Sequence, residues 1–334
     1  MNEGRGHRSH GAPPLVKESN EKVTSTEVFL QQTLNGLTIG SYLALIALGY
    51  TMVYGIIELI NFAHGDVFTF GFLISLTLLQ LLGKAKPLAG GELVWVLLLV
   101  IPATMLCTGL MNLAIDRVAY KPLRRAPRLA PLITAVGMSF LLENLAANWK
   151  GPSQIRYPEV FPAINILRDV FHKDTLMLFT TKDIFLVGVT IPLMIALVLL
   201  IRRTKIGRSM RAVAQDREAA AAMGVDIERV IMSTFFIGGA LAGAAGAVVG
   251  IYLNSGRYLM GFDAGLKAFT AAVLGGIGNV TGAMLGGYVI GFLSAFSDQY
   301  LSSEWTRATV FAILILVLVF RPTGLLGEKP PEKY

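Results

Sequence analysis

The sequence predicts an all-α, polytopic membrane protein of about eight to ten transmembrane or re-entrant helices, and three observations carry that expectation. The chain of 334 residues is 54% hydrophobic and only 15% charged, well outside the usage of a soluble domain. Its mean hydropathy is +0.60. Its apolar residues fall in runs as long as a bilayer core requires, about 20 residues per spanning helix. Candidate spans lie near 28–57, 67–83, 93–115, 129–149, 184–201, 228–253, 264–298 and 305–320. The first and seventh exceed one span, so each is expected to hold a broken or re-entrant helix.

Residues 1–27 mix Gly, Pro, Ser and charge with few large apolar groups, a composition that buries too little surface to fold. They are read as a disordered polar tail preceding a retained anchor, since no clear cleavage site is present. The membrane domain is expected over 28–327, with 328–334 as a C-terminal tail. Within the first run, Gly36 and Gly40 are spaced for close helix approach. The chain then reads GYTMVYGIIELINFAHGDVFTFG from Gly49 to Gly71, placing Glu58, Asn61, His64 and Asp66 where a lipid-facing helix should carry nothing ionisable. Such groups face a cavity, a pathway or a partner.

Pro102 removes a backbone hydrogen bond inside the third run and is expected to kink it. Glu143 and Asn144 lie in the fourth, ahead of the interfacial anchors Trp149 and Lys150. Glu143 is either a pathway group or a helix-helix hydrogen-bond partner, with packing the favoured role. Positions 184–201 are uncharged throughout, the clearest span in the chain. The charged, Ala-rich stretch after it belongs outside the hydrocarbon; Asp216 suits an N-cap and Gly224 a C-terminal stop, which predicts a short helix over 217–223. That helix serves as a connector or a docking surface. Gly239 with Gly243 and Gly246 with Gly250 then mark a helix packed closely on others. Lys267 and the cluster Gly275, Gly276 and Gly278 suggest a second break, tolerated only where backbone is buried in protein or lines a cavity. Two irregular elements, near 61–66 and 275–278, would suit a transporter's midplane site, although no internal repeat is visible.

The net charge of +7 could suggest nucleic acid, but the basic residues sit in short loops. Arg117, Lys121, Arg124, Arg125 and Arg128 fill one connection and Arg202, Arg203, Lys205, Arg208 and Arg211 another, whereas 151–181 offsets Arg156, Arg168 and Lys173 with Glu159, Asp169 and Asp174. The positive-inside tendency makes both basic loops cytoplasmic, along with the C-terminus at Arg321, Lys329 and Lys333, and the balanced loop external. Membrane lipid, and no nucleic acid, is the expected surrounding. The single cysteine, Cys107, excludes an intramolecular disulfide framework, and four histidines, two of them in the tail, argue against a metal site. No phosphate loop, H-E-x-x-H or G-x-S-x-G motif is present, so no catalytic residue, metal or cofactor is expected and the chain has no means of its own to hydrolyse ATP. Uphill transport would need an ion gradient acting through Glu58, Asp66 and Glu143, or a separate ATPase gripping 205–226.

Four blocks go further: LNGLTIGSYLALIALGYTMVYGIIELINFAHGDVFTFG, YKPLRRAPRLAPLITAVGMSF, RAVAQDREAAAAMGVDIERVI with its continuation FIGGALAGAAGAVVG, and GLKAFTAAVLGGIGNVTGAMLGGYVIG with the terminal FRPTGLLG. Together they resemble the membrane permease subunit of the branched-chain amino acid ABC transporters. The resemblance implies an importer in a bacterial-type inner membrane, with a sister permease subunit, two cytoplasmic ATP-binding subunits and an external solute-binding protein; ATP would be bound by those partners. Urea, short amides or other amino acids are alternative solutes, and an ion-coupled secondary transporter the alternative class. On the resemblance, 205–226 is the coupling loop, in which Glu218, Ala219 and Gly224 match the family pattern and Arg211, Asp216 and Arg217 flank the contact. Asn61, His64 and Asp66 are expected to shape a broken helix at the translocation path, with Gly65 allowing the bend; a turn that only fixes packing is the alternative. Lys267, Gly275, Gly276 and Gly278 are expected to form the second broken element. Glu58 occupies a permissive family position and is not read as a ligand.

Overall fold

The computed structural model describes residues 25–57, 61–84, 86–124, 126–127, 129–172 and 177–327. The expected tails at 1–24 and 328–334 lie outside the described residues, as do Glu58, Arg125, Arg128, Lys173 and Asp174. Eleven α-helices dominate the described residues. They are α1 (Ser25–Ile57), α2 (Ala63–Leu81), α3 (Gly90–Ile115), α4 (Leu129–Lys150), α5 (Thr181–Arg203), α6 (Lys205–Gln215), α7 (Arg217–Ala222), α8 (Ile227–Leu253), α9 (Met260–Gly275), α10 (Val280–Tyr300) and α11 (Thr306–Phe320). Seven of them, α1 to α5, α8 and α10, are long and apolar enough to cross a membrane, and α11 is a shorter apolar helix. The only strands among the described residues are β1 (Ile155–Arg156) and β2 (Ser255–Gly256), paired antiparallel.

The first long run is not broken. α1 is one helix of 33 residues, about 50 Å at 1.5 Å per residue. Its glycines serve close approach instead of a bend: a Cβ on Gly40 would meet Tyr288 Cα at 2.8 Å, and one on Gly36 would meet Phe292 Cα at 2.9 Å. These contacts, with Gly55 against Gly278, show α1 and α10 packed antiparallel. The start of α1 therefore lies at the end of the bundle opposite the turn between α9 and α10.

The seventh run does divide, into α9 and α10, and the reversal is made by Gly276 (φ 108°) and Gly278 (φ 89°), in a region of backbone space that disfavours side chains. Its place differs from the expected mid-depth break. The turn is held by the chain after α11, where Leu325 and Leu326 N–H groups donate to the carbonyls of Leu274 and Gly275 and Asn279 Nδ2 donates to Leu326 O at 2.7 Å. Here Gly55 and the α5–α6 junction also gather, so the glycine cluster is a hairpin turn at one end of the bundle. Lys267 lies within uninterrupted α9, eight residues or about 12 Å from Gly275, and takes no part in the turn.

An irregular stretch between the expected spans 228–253 and 264–298 joins α8 to α9. Asn254 ends α8 in the left-handed conformation (φ 53°), β2 pairs with β1, and α9 restarts at Met260. The 151–162 loop reaches into the bundle with Tyr157 and Val160: Tyr157 is 1% exposed, its ring lies 5.3 Å from that of Phe72, and its hydroxyl lies 3.1 Å from Ser75 Oγ. α8 is the central helix. It is buried continuously from Gly238 to Ile251, because its small residues admit α2 and α3: a Cβ on Gly246 would lie 2.7 Å from Phe72 N, and one on Gly243 2.8 Å from Thr108 Cβ.

The charged stretch after α5 forms two helices where one was expected. α7 closely matches the predicted 217–223 helix, but α6 precedes it, amphipathic, with Gly207, Met210 and Val213 buried on one face.

Candidate translocation and coupling sites

Local sequence sets the first site. Asn61 and Phe62 are not helical, and α2 begins at Ala63 with His64, Gly65 and Asp66 in its first turn. Gly65 does not bend the chain, a correction to the expected role: it is helical, and its missing Cβ lets α9 approach, since a Cβ there would lie 3.0 Å from Gly265 Cα. The same device places His64 against Gly49 of α1 and Gly238 of α8, with its ring edge-on to Tyr50 at 4.8 Å.

Asn61, His64 and Asp66 are all nearly sealed, at 3%, 0% and 2% exposure. Tyr120 donates its hydroxyl proton to Asn61 Oδ1 at 2.6 Å, and Ser139 of α4 donates to Asp66 Oδ2 at 2.5 Å. Asn61 Nδ2, both ring nitrogens of His64, Asp66 Oδ1 and the nearby Thr69 Oγ1 find no hydrogen-bond partner among the described residues. Buried polar groups are almost always paired, and the concentration of several unpaired ones between Asn61 and Thr69 makes this stretch a candidate site. Glu143 stands one turn beyond Ser139 on the same face of α4, within electrostatic reach of Asp66. Neither acid has a cationic partner among the described ion pairs. Among the described residues Glu143 makes no helix-helix hydrogen bond, the role that sequence reading favoured for it. Asp66 lies in the first turn of α2, where the helix dipole favours negative charge.

Lys267 is not brought to this cluster. Gly265, two residues before it and so on another face of α9, is the residue against Gly65. Lys267 instead feels Asp298 of α10 and Asp263 of its own helix, which is paired with Arg307. Gly275, Gly276 and Gly278 are likewise remote from Asp66, at the hairpin turn.

The second site is the α6–α7 pair. Thr204 caps α6 by accepting from Gly207 N at 3.0 Å, and Asp216 caps α7 by accepting from Glu218 N at 2.9 Å and Ala219 N at 3.0 Å. Arg211 donates to the Ile201 carbonyl, tying α6 to the end of α5. Gly224 (φ 82°) stops α7 and turns the chain into α8. Only Ala220 of α7 is buried, so Arg217, Glu218, Ala219 and, beyond the expected set, Met223 at 85% exposure form a free face. The spacing of Ser139 and Glu143 offered a signal for α4, whereas nothing in the sequence joins Tyr120 to Asn61.

Comparison with known proteins is consistent over nearly the whole chain. The family described as Branched-chain amino acid transport system / permease component matches residues 32–318. The chain is 42% identical over 307 residues to the high-affinity branched-chain amino acid transport system permease protein LivH of Escherichia coli, covering 91% of this chain and 97% of that one. It is 41% identical over 311 residues to the permease protein BraD of Pseudomonas aeruginosa, covering 91% and 98%. A shorter likeness, 30% over 144 residues and 39% of this chain, joins it to 37% of the xylose transport system permease protein XylH of Escherichia coli. No solved structure matches the chain.

Proposed function

The chain belongs to the branched-chain amino acid transport permease family and is a multi-pass permease subunit of an ABC importer, and from that premise we propose how it works and what it carries. It passes branched-chain, hydrophobic amino acids across a bacterial-type inner membrane, the solute class in the names of LivH and BraD. It pairs with a sister permease, receives solute from an external binding protein and is moved by two cytoplasmic ATP-binding subunits; ATP is bound by those partners and by no site of its own.

The observation that carries this reading is the α6–α7 pair: two capped, charged helices beyond the apolar spans, with one face free. Arg211, Asp216, Arg217, Glu218, Ala219 and Gly224 form or shape that face, which seats in a groove of the ATPase. Since this end carries the basic loops, it is cytoplasmic. The C-terminal stretch packed at the α9–α10 turn is then cytoplasmic as well, and the start of α1 external.

Asn61, His64, Gly65 and Asp66 are the constriction of the path. A hydrophobic amino acid needs an apolar passage with few polar groups for its ammonium and carboxylate, and Asp66 with Glu143 offers acceptors for the ammonium. Lys267 and the glycines of the hairpin support α9 and α10 without touching solute.

The test is uptake of labelled leucine, isoleucine and valine into vesicles containing the complete assembly. The reading predicts accumulation that needs ATP and binding protein. Accumulation by this chain alone, driven by a proton or sodium gradient, would replace it with a secondary transporter; uptake of urea, short amides or other amino acids alone would replace the solute.

A further inference from the structure

One charged cluster of the bundle has no part in either site yet lies between them. α3 ends in a π-helical turn, Asp116–Tyr120, followed by a 3₁₀ turn, Lys121–Leu123. Asp116 is fully buried, and Arg124 Nη2 donates to both of its carboxylate oxygens at 2.7 Å. The other arm of the fork, Nη1, donates to Glu228 Oε2 at 2.6 Å, and Lys121 Nζ lies 2.7 Å from Glu228 Oε1. Glu228 occupies the first turn of α8, four residues after Gly224 ends α7, and Val225 N donates back to Ala220 O at 3.0 Å. Only three residues of backbone separate Gly224 from Glu228.

At the other end of the π turn stands Tyr120. Its ring packs 5.7 Å from that of Phe235, and its hydroxyl bonds Asn61, whose carbonyl accepts from His64 N at 3.1 Å as α2 begins. Glu228, Arg124, Asp116, the π turn, Tyr120 and Asn61 therefore form a continuous connection from the α6–α7 pair to the first turn of α2. Two of its links are charge-assisted and one is a fork that resists rotation. The π turn holds one residue more than an α turn. Its conversion to α geometry would rotate the downstream chain by about 100° and shift it about 1.5 Å along the axis, a discrete alternative state rather than a gradual strain.

We propose that Arg124 and Tyr120 are positioning residues that transmit movement of the α6–α7 pair to the start of α2, with the π turn at the end of α3 as the two-state element between them. This rests on the reading of α6–α7 as the ATPase contact. It assigns functions to residues that neither bind solute nor touch the ATPase.

The decisive variants are Tyr120→Phe, which keeps the ring against Phe235 and removes only the hydroxyl, and Glu228→Gln, which keeps shape and removes the charge. In the complete assembly each is expected to lower solute taken up per ATP hydrolysed by about fivefold or more, while ATP turnover and the amount of assembled complex stay within about twofold. Combining them should do no more than the worse single variant, because both cut one connection. Arg124→Lys, which keeps charge without the fork, should fall with them. Unchanged uptake per ATP in Tyr120→Phe overturns the proposal, and so does a loss of uptake that merely tracks loss of assembled complex. Should wild-type uptake prove independent of ATP, the reading of α6–α7 fails first; ATP-dependent wild-type uptake with a normally coupled Tyr120→Phe defeats the relay alone.

Discussion

Asp66 is a carboxyl group 2% exposed, half of it satisfied by Ser139 and half by nothing among the described residues, on a helix start where negative charge is favoured. Asp66→Asn keeps volume and the contact with Ser139 but removes the acceptor pair. We expect leucine uptake to fall by about tenfold or more, the loss of one strong buried polar contact, with the complex assembled as in wild type; normal uptake would take Asp66 out of the path. A neighbouring position tests packing instead. Gly71→Leu would drive a side chain into Gly243 Cα and its carbonyl, both 2.6 Å from the first added atom, where backbone must move. A destabilisation of about 1–3 kcal/mol is expected, read as loss of thermal stability in detergent. Asp66 was legible in the sequence because charge in an apolar run is conspicuous. The role of Gly65 was not, since a glycine in a membrane helix signals either a bend or a close neighbour, and only the presence of Gly261 and Gly265 opposite decides between them.

Among elements, α7 was legible and α6 was not. Capping is local chemistry, so Asp216 and Gly224 announce their helix from within six or eight residues. α6 also has a local cap at Thr204, but its buried face is set by packing: Gly207 lies against the end of α5, and Met210 beside Thr51, Met52 and Ile56 of distant α1. The continuity of α1 and the end-of-bundle position of the Gly276–Gly278 turn were hidden for the same reason, because α10 and the 321–327 stretch decide them. The free face of α7 carries its own prediction. Met223→Glu replaces an 85% exposed apolar side chain without touching the fold of the spans. If that face seats in an ATPase groove, recovery of the ATP-binding subunits with the permease should drop by about fivefold or more, as for loss of an interface anchor; undiminished recovery would place the contact elsewhere.

At the scale of the whole molecule, nine helices, α1 to α5 and α8 to α11, build the bundle among the described residues, and an odd number sets the start of α1 opposite the end of α11. The sequence alone left that orientation open. With Cys107→Ser as background, a thiol placed by Thr26→Cys should react with a membrane-impermeant reagent on intact cells, and one placed by Gln215→Cys only after lysis. The opposite pattern would invert the topology and remove α7 from the ATPase side.

Among the described residues, a sealed polar cluster and a capped helix pair are connected through ion pairs, hydrogen bonds and the π turn, and on the proposed reading the driving force comes from separate ATP-binding subunits. The most direct test is solute accumulation in vesicles that hold the permease pair and binding protein, with and without the ATP-binding subunits. Accumulation of leucine against its gradient only when those subunits and ATP are both present is the predicted result. Concentrative uptake in their absence would contradict the account.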